Sequence, residues 1–327
     1  MRNIILQIDA VVVFALFLGA CSGKDSSVIP DQKEEETQTP EEEPKIPDEL
    51  DNDTLHLKID LSRGGAISYI SISGASKSIV NVHDEGRYIQ QSYYAGNSLS
   101  RPGQNQAWTP WPWNPIQVGD SYGNRAKIIK NTHIGNTLYV KCIPMLWDME
   151  NEPAEAVMEQ WTTLMENVIK VHNKLTCHRT DDIYGEGINR DQELPAVYPI
   201  SSLKNLYTYL GKAPFTGAPL DNPVVKNLSS GFWGTYLNET VTENWMAFVD
   251  DDLWGMAIYN PLCKNFLAGV AGNSFGGADD SSTSYIAPIK KSILNKNSVY
   301  EYDYYLIIGK IDDIRAQIYN LKEIVDK

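Results

Sequence analysis

Cysteine is scarce, four in 327 residues, and the first of them stands at position 21. The others, Cys142, Cys177 and Cys263, are odd in number and match no zinc spacing. A complete disulfide framework is therefore excluded, and the expected role is that of small buried hydrophobes. Basic residues are also outnumbered: 28 Lys and Arg stand against 42 Asp and Glu, a net charge of −14. That balance excludes a nucleic-acid-binding surface. No nucleotide loop, HExxH helix or GxSxG elbow occurs, so no cofactor and no metal is expected. No apolar run reaches the roughly 20 residues that a membrane-spanning helix needs.

The N-terminus has a different kind of membrane signal. Arg2 precedes an uninterrupted apolar run over residues 10–18, and Leu18-Gly19-Ala20-Cys21 puts small residues directly before a cysteine. This is the shape of a lipoprotein signal. It predicts a signal peptide over residues 1–20, a lipid on Cys21, and export. Residues 22–53 carry 12 acids and 3 bases, leaving a net of −5 for residues 54–327. A segment so acidic and so poor in apolar residues is predicted to be a disordered, self-repelling tether. The acidity of the chain thus belongs mainly to the tether. The rest is expected to form a single domain over residues 54–327.

That domain is predicted to be all-β. Alternating or β-branched runs occur at residues 55–61, 66–72, 87–94, 126–131 and 137–143. A long hairpin is expected over 159–164 and 168–175, followed by strands at 243–249, 253–259, 265–270, 284–288 and 299–308. Only the C-terminus has helical spacing, with Ile314, Ile318, Leu321 and Val325 behind Asp312-Asp313. Many strands and one terminal helix indicate a large antiparallel β-sandwich.

Several polar segments are candidates for chemistry. If residues 87–94 form a regular strand, Arg87, Ile89, Gln91 and Tyr93 share a face. Such a face offers a planar fork of donors, an amide and a ring to a hydroxylated ligand. Trp108, Trp111 and Trp113, interrupted by Pro110 and Pro112, are expected on a loop. Their rings suit the CH-rich faces of sugars, with Asn114, Gln117 and Asp120 supplying polar contacts. Glu193 precedes an apolar run, where a loop can hold a carboxylate over a sheet. Glu243 and Trp245 project to one side of a strand, while His172, at the end of the hairpin, is a candidate general base. Glu85 is the other candidate carboxylate.

With these segments in order, the chain resembles carbohydrate-active lipoproteins of gut Bacteroidetes with a galactose-mutarotase-like β-supersandwich. The resemblance lies in the architecture and in Gly64-Gly65-Ala66-Ile67-Ser68-Tyr69-Ile70-Ser71, followed by the Asn81 segment and an acid-Gly-Arg strand. It implies a sugar on the concave face of a sheet, with Arg87, His172 and Glu243 in comparable places in chain order. It also implies a lipid anchor at the outer membrane and an oligo- or polysaccharide as ligand. The leading expectation is a glycoside hydrolase in which Glu193 pairs with Glu85 or Glu243. One alternative is a polysaccharide lyase acting on uronic-acid glycans, with His172 and Tyr93 moving protons and Arg87 or Asn114 neutralising a carboxylate. Another is a non-catalytic glycan-binding lipoprotein serving other glycan-uptake proteins. The lipid anchor has its own test: Cys21→Ser is expected to move the protein from the membrane to the soluble fraction and to abolish incorporation of labelled fatty acid.

Overall fold

The structure, a computed structural model, describes residues 48–97, 101–105, 107, 113–180, 183–184, 187–225, 235–236 and 241–326. Cys21, the signal segment, the tether up to residue 47, and Trp108 and Trp111 lie outside the described residues. The first strands are β1 (Glu49–Asp51), β2 (Leu55–Asp60), β3 (Ala66–Ile72), β4 (Ile89–Ser92) and β5 (Pro115–Ile116). Next come β6 (Lys127–Ile134), β7 (Thr137–Ile143), β8 (Met145–Leu146), β9 (Ala156–Met165) and β10 (Val168–Cys177). They are followed by β11 (Asn189–Val197), β12 (Asn205–Thr208), β13 (Thr235–Tyr236) and β14 (Trp245–Val249). The chain ends with β15 (Trp254–Tyr259), β16 (Asn265–Ala271), β17 (Thr283–Ile293), β18 (Val299–Lys310) and helix α1 (Ile311–Val325).

These strands form two antiparallel sheets, as the alternating runs lead one to expect. One has ten strands, in the order β1-β2-β3-β4-β11-β17-β16-β13, with β5 and β8 attached beside β4. The other has eight, in the order β12-β14-β15-β18-β10-β9-β7-β6. The main core lies between them, where Leu55, Leu57, Ile67 and Ile89 of the first sheet join Met158, Val171, Leu206 and Phe248 of the second. In the hairpin β9–β10, Met165 and Val168 close the ladder, and residues alternate between buried and partly exposed along both strands.

Helix α1 forms at the predicted place. Asp312 and Asp313 occupy its first turn, where they complement the helix dipole. Its buried side chains Ile314, Ile318 and Leu321 pack on Trp245, Ala247, Tyr259 and Tyr305, so the helix covers part of the outer face of the eight-stranded sheet. Two expectations are corrected. Residues 49–51, assigned to the tether, form β1: Leu50 is buried, and the strand pairs in register with β2. The strand expected over 87–94 is shorter, because Tyr88 takes a positive φ of 73° just ahead of β4. That left-handed residue separates Arg87 from the alternation that follows.

Cys142, Cys177 and Cys263 are free and buried, and burial pushes each thiol up to about 12. A thiol so protonated and so covered is a poor nucleophile. Alkylation at neutral pH, followed by peptide mapping, should therefore leave these three unmodified in the native protein and modify all three in denaturant.

Candidate functional site

The outer face of the ten-stranded sheet is built by a break in phase on β11. Glu193 pairs with Ser92 of β4, but the next partners are Ala196 with Gln90 and Val197 with Ile89. Two β11 residues, Leu194 and Pro195, thus stand against the single Gln91, which is a β-bulge. Proline fits there because it has no ladder N–H to give. The bulge keeps both ends of the strand useful. Leu194 and Val197 enter the main core, while Ala196 and Tyr198 join Tyr285, Ala287 and Ile289 in a separate outer cluster.

Glu193 sits on this outer face, partly exposed. Tyr94 donates its hydroxyl to Oε2 at 3.0 Å, and Tyr285 donates to Oε1. Ser92, its register partner, lies within reach of both Glu193 and the Tyr94 hydroxyl, at 3.2 Å from the latter. Burial pushes the Glu193 carboxyl above the usual carboxylate range, against the opposing pull of hydrogen bonds from Tyr285, Ser92 and Tyr94. Burial and the neighbouring Glu193 charge hold Tyr94 and Tyr285 well above the ordinary tyrosine range, so both remain donors. The Tyr285 ring lies 4.9 Å from that of Tyr198, and the Arg87 guanidinium stands 5.3 Å from the Tyr198 ring. Arg87 also donates to the Ser281 carbonyl at 3.3 Å. Arg87 and Glu193, both expected from sequence, are therefore joined in one cluster through tyrosines that were not singled out.

Asp191 precedes Glu193 by two residues in a regular part of β11, so their side chains leave the same face. Asp191 and Ile289, the β17 partner of Glu193, line an open trough of about 610 Å³ with Asn265, Lys264, Lys290 and Lys291.

The other expected site residues fall elsewhere. Gln91 and Tyr93 do share a face with Ile89, but it is the inner one: both are fully buried, and Tyr93 donates to Gln91 at 2.8 Å while Gln91 donates to the Glu159 carbonyl. Asn114 and Gln117 are buried beside them, donating to the Tyr93 and Gly64 carbonyls at 2.9 and 3.0 Å. Asp120 is a turn residue whose carboxylate accepts from the backbone N–H groups of Tyr122, Asn124 and Asn151. Trp113 is fully buried, with the Arg179 guanidinium 4.8 Å from its ring. These groups complete buried hydrogen bonds, as polar side chains inside a sandwich must, and cannot meet a ligand.

The proposed carboxylate partners are also lost to Glu193. Glu85 accepts from Arg63 at 3.0 Å. Glu243 is buried beneath α1, on the other sheet, accepting from Arg315, Tyr319, the Trp245 indole and the Phe215 N–H. Its acceptor sites are filled, and Trp245 is fully buried with it. His172 lies on the outer face of the eight-stranded sheet, 2.7 Å from Asp303, with its ring tilted 5.1 Å from that of Trp161. It is thus separated from Tyr93, which faces the core, and that pair cannot move protons together. The missed residues, Tyr94, Tyr198, Tyr285 and Asp191, had one usable signal: each sits at the alternate position to a core residue in its run.

No family model matches the chain, and no curated protein matches it. Among solved structures, it is similar to the Slr1438 protein of Synechocystis, at 11% identity over 80% of this chain and 95% of that one, with a TM-score of 0.48. A galactose mutarotase-like protein of Lactobacillus casei aligns at 9% identity over 80% and 99%, TM-score 0.47. A galactose mutarotase related enzyme of Lactobacillus acidophilus aligns at 7% over 80% and 96%, TM-score 0.46. At such scores, the site and its chemistry rest on the residues of this chain.

The Glu243 ion pair gives a pH prediction. Burial alone raises its carboxyl, but hydrogen bonds from Arg315, Phe215, Trp245 and Tyr319 outweigh it and hold the group below the usual range. The stability it contributes is therefore present above the unfolded value of about 4.3 and lost as pH falls through the lower folded value. Glu243→Gln should destabilise the protein at neutral pH by about 3–5 kcal/mol, the cost of leaving a buried partner unpaired. Thermal unfolding between pH 6 and 2 should show a shallower acid decline in the variant.

Proposed function

We propose that the outer face of the ten-stranded sheet binds a carbohydrate and that the protein is an exported, lipid-anchored glycan-processing protein. The observation that carries this reading is Glu193: a carboxyl raised by burial, bonded by two tyrosines and linked through Tyr198 to Arg87. A carboxyl whose proton affinity is raised holds its proton more firmly than a solvated one, which suits a group that delivers a proton to a leaving oxygen. Tyr94 and Tyr285 donate their hydroxyl hydrogens to Glu193 and hold it in place, while the partly exposed Arg87 guanidinium offers donors that suit the acceptor oxygens of a sugar ring.

The reaction class we favour is glycoside hydrolysis, with Asp191 in place of Glu243 or Glu85 as the second carboxylate. Residues two apart on a strand have Cα atoms about 7 Å apart, a spacing that suits an acid and a base separated by one water. Glu193 would protonate the leaving oxygen and Asp191 would activate the water. A single perturbed carboxyl amid hydroxyl donors also fits a non-catalytic binding protein, which would need neither proton transfer nor Asp191.

Glu193→Gln and Asp191→Asn distinguish these readings. In the hydrolase, each should lower kcat on a cleaved glycan by about 100-fold or more while changing affinity little. Unchanged turnover in Glu193→Gln would remove the acid assignment. Cleavage of no glycan by the unaltered protein, together with tight binding of one, would establish the binder.

A further inference from the structure

Helix α1 takes the part of the outer face of the eight-stranded sheet formed by Trp245, Ala247, Tyr259 and Tyr305. Further along the same face, β7, β9, β10 and β18 carry a row of side chains that the Glu193 site does not use. Register fixes the row: Tyr139 stands opposite Trp161, Trp161 opposite His172, and His172 opposite Asp303. Each of the four is partly exposed and sits between two buried neighbours in its own strand. The Tyr139 and Trp161 rings lie 4.8 Å apart and the Trp161 and His172 rings 5.1 Å apart, tilted by 41° and 53°. With neighbouring strands about 4.8 Å apart, the row from Tyr139 to Asp303 is about 14 Å long, enough for more than one sugar ring. We infer that this row is a second carbohydrate site, a surface platform for a neutral oligosaccharide that is separate from the Glu193 face and does not depend on its chemistry.

The groups in and beside the row select this ligand. Asp303 can only accept, so Nδ1 of His172 donates to it across 2.7 Å, and Nε2 has no hydrogen-bond partner among the described residues. The Trp161 indole N–H has none either. Polar atoms thus stand open between rings that present apolar faces. In the next row, Lys141, Glu159, Lys174 and Glu301 are successive register partners, so the sign of charge alternates from strand to strand. Glu159 accepts the Tyr139 hydroxyl at 2.6 Å, and Lys174 lies 2.8 Å from Glu301. On the other side of the rings, the Thr137 and Thr163 hydroxyls meet at 2.9 Å. Alternating charges give an anion no field of one sign to follow. They also break up the apolar area that the core of a protein interface needs, since charged residues are depleted there. A neutral sugar has a CH-rich face for the rings and hydroxyls that both donate and accept, which matches what this face offers. Cross-strand ring pairs also stabilise a sheet, so binding must be read in variants shown to be folded.

The test is binding of four neutral oligosaccharides, cellohexaose, maltohexaose, xylohexaose and mannohexaose, to the full-length protein and to Trp161→Ala, Trp161→Phe and Glu193→Gln, each checked by thermal unfolding. At least one hexaose should bind, and its addition should shift the Trp161 indole N–H resonance, assigned by its absence from Trp161→Phe. Trp161→Ala should weaken that binding about tenfold or more, Trp161→Phe less, and Glu193→Gln hardly at all. Should Trp161→Ala fail to fold, the resonance shift decides. No binding of any hexaose, or binding that leaves the resonance unmoved, would overturn the inference. Binding lost in Glu193→Gln but kept in Trp161→Ala would overturn it too, while leaving the Glu193 reading in place. Unchanged turnover in Glu193→Gln, together with hexaose binding at Trp161, would remove the acid assignment and leave this inference intact. A dimer that sedimentation shows to become a monomer in Trp161→Ala would assign the face to a second copy of the chain instead.

Discussion

A β-strand has two faces, and a sandwich takes one of them for its core. That constraint governs almost everything in this molecule. The two sheets enclose the main core, and α1 takes part of the outer face of the eight-stranded sheet. A polar residue that falls on an inner face must find its hydrogen bonds there, because water does not reach it. Tyr93, Gln91, Asn114 and Gln117 do so through one another and through nearby backbone carbonyls. They hold β4 to its neighbours and have no capacity left for a ligand.

The bulge at Leu194 and Pro195 is where the constraint becomes useful. Without an extra residue, Glu193 and Val197 would project to the same side, and either the carboxylate would enter the core or the valine would leave it. With it, Glu193 faces out among hydroxyls and Val197 still packs inside. Bulges re-aim side chains at the cost of one ladder position, and here the re-aimed group is a carboxyl whose proton affinity burial raises.

Two carboxylates illustrate how surroundings decide chemistry. Glu243 and Glu193 are both removed from bulk water to some degree, and burial raises both. Glu243 meets a guanidinium and three further donors, which turn the balance downward and fix it as a structural anion. Glu193 meets only neutral hydroxyls, which soften the upward push without reversing it. The first ties α1 to the sheet. The second is left partly exposed, with its proton affinity raised.

The alternation in the sequence determined the elements: Ala66–Ile72, Thr137–Ile143 and the β9–β10 hairpin follow directly from period two, and α1 from its helical spacing. It determined the two-sheet class as well, since so many half-apolar strands have no other way to bury one face each. Arg87 and Glu193 were legible as candidate residues because each carries charge beside an apolar run. What alternation leaves open is which side of a strand faces the partner sheet, and that depends on residues far away in the chain. Only the tertiary structure decided that Gln91 and Tyr93 point inward, that Glu243 lies beneath α1, and that Tyr94, Tyr198 and Tyr285 converge on Glu193. Tyr88 at positive φ and the bulge at Leu194 each shift the phase by one residue, and a one-residue shift exchanges the two faces of a strand.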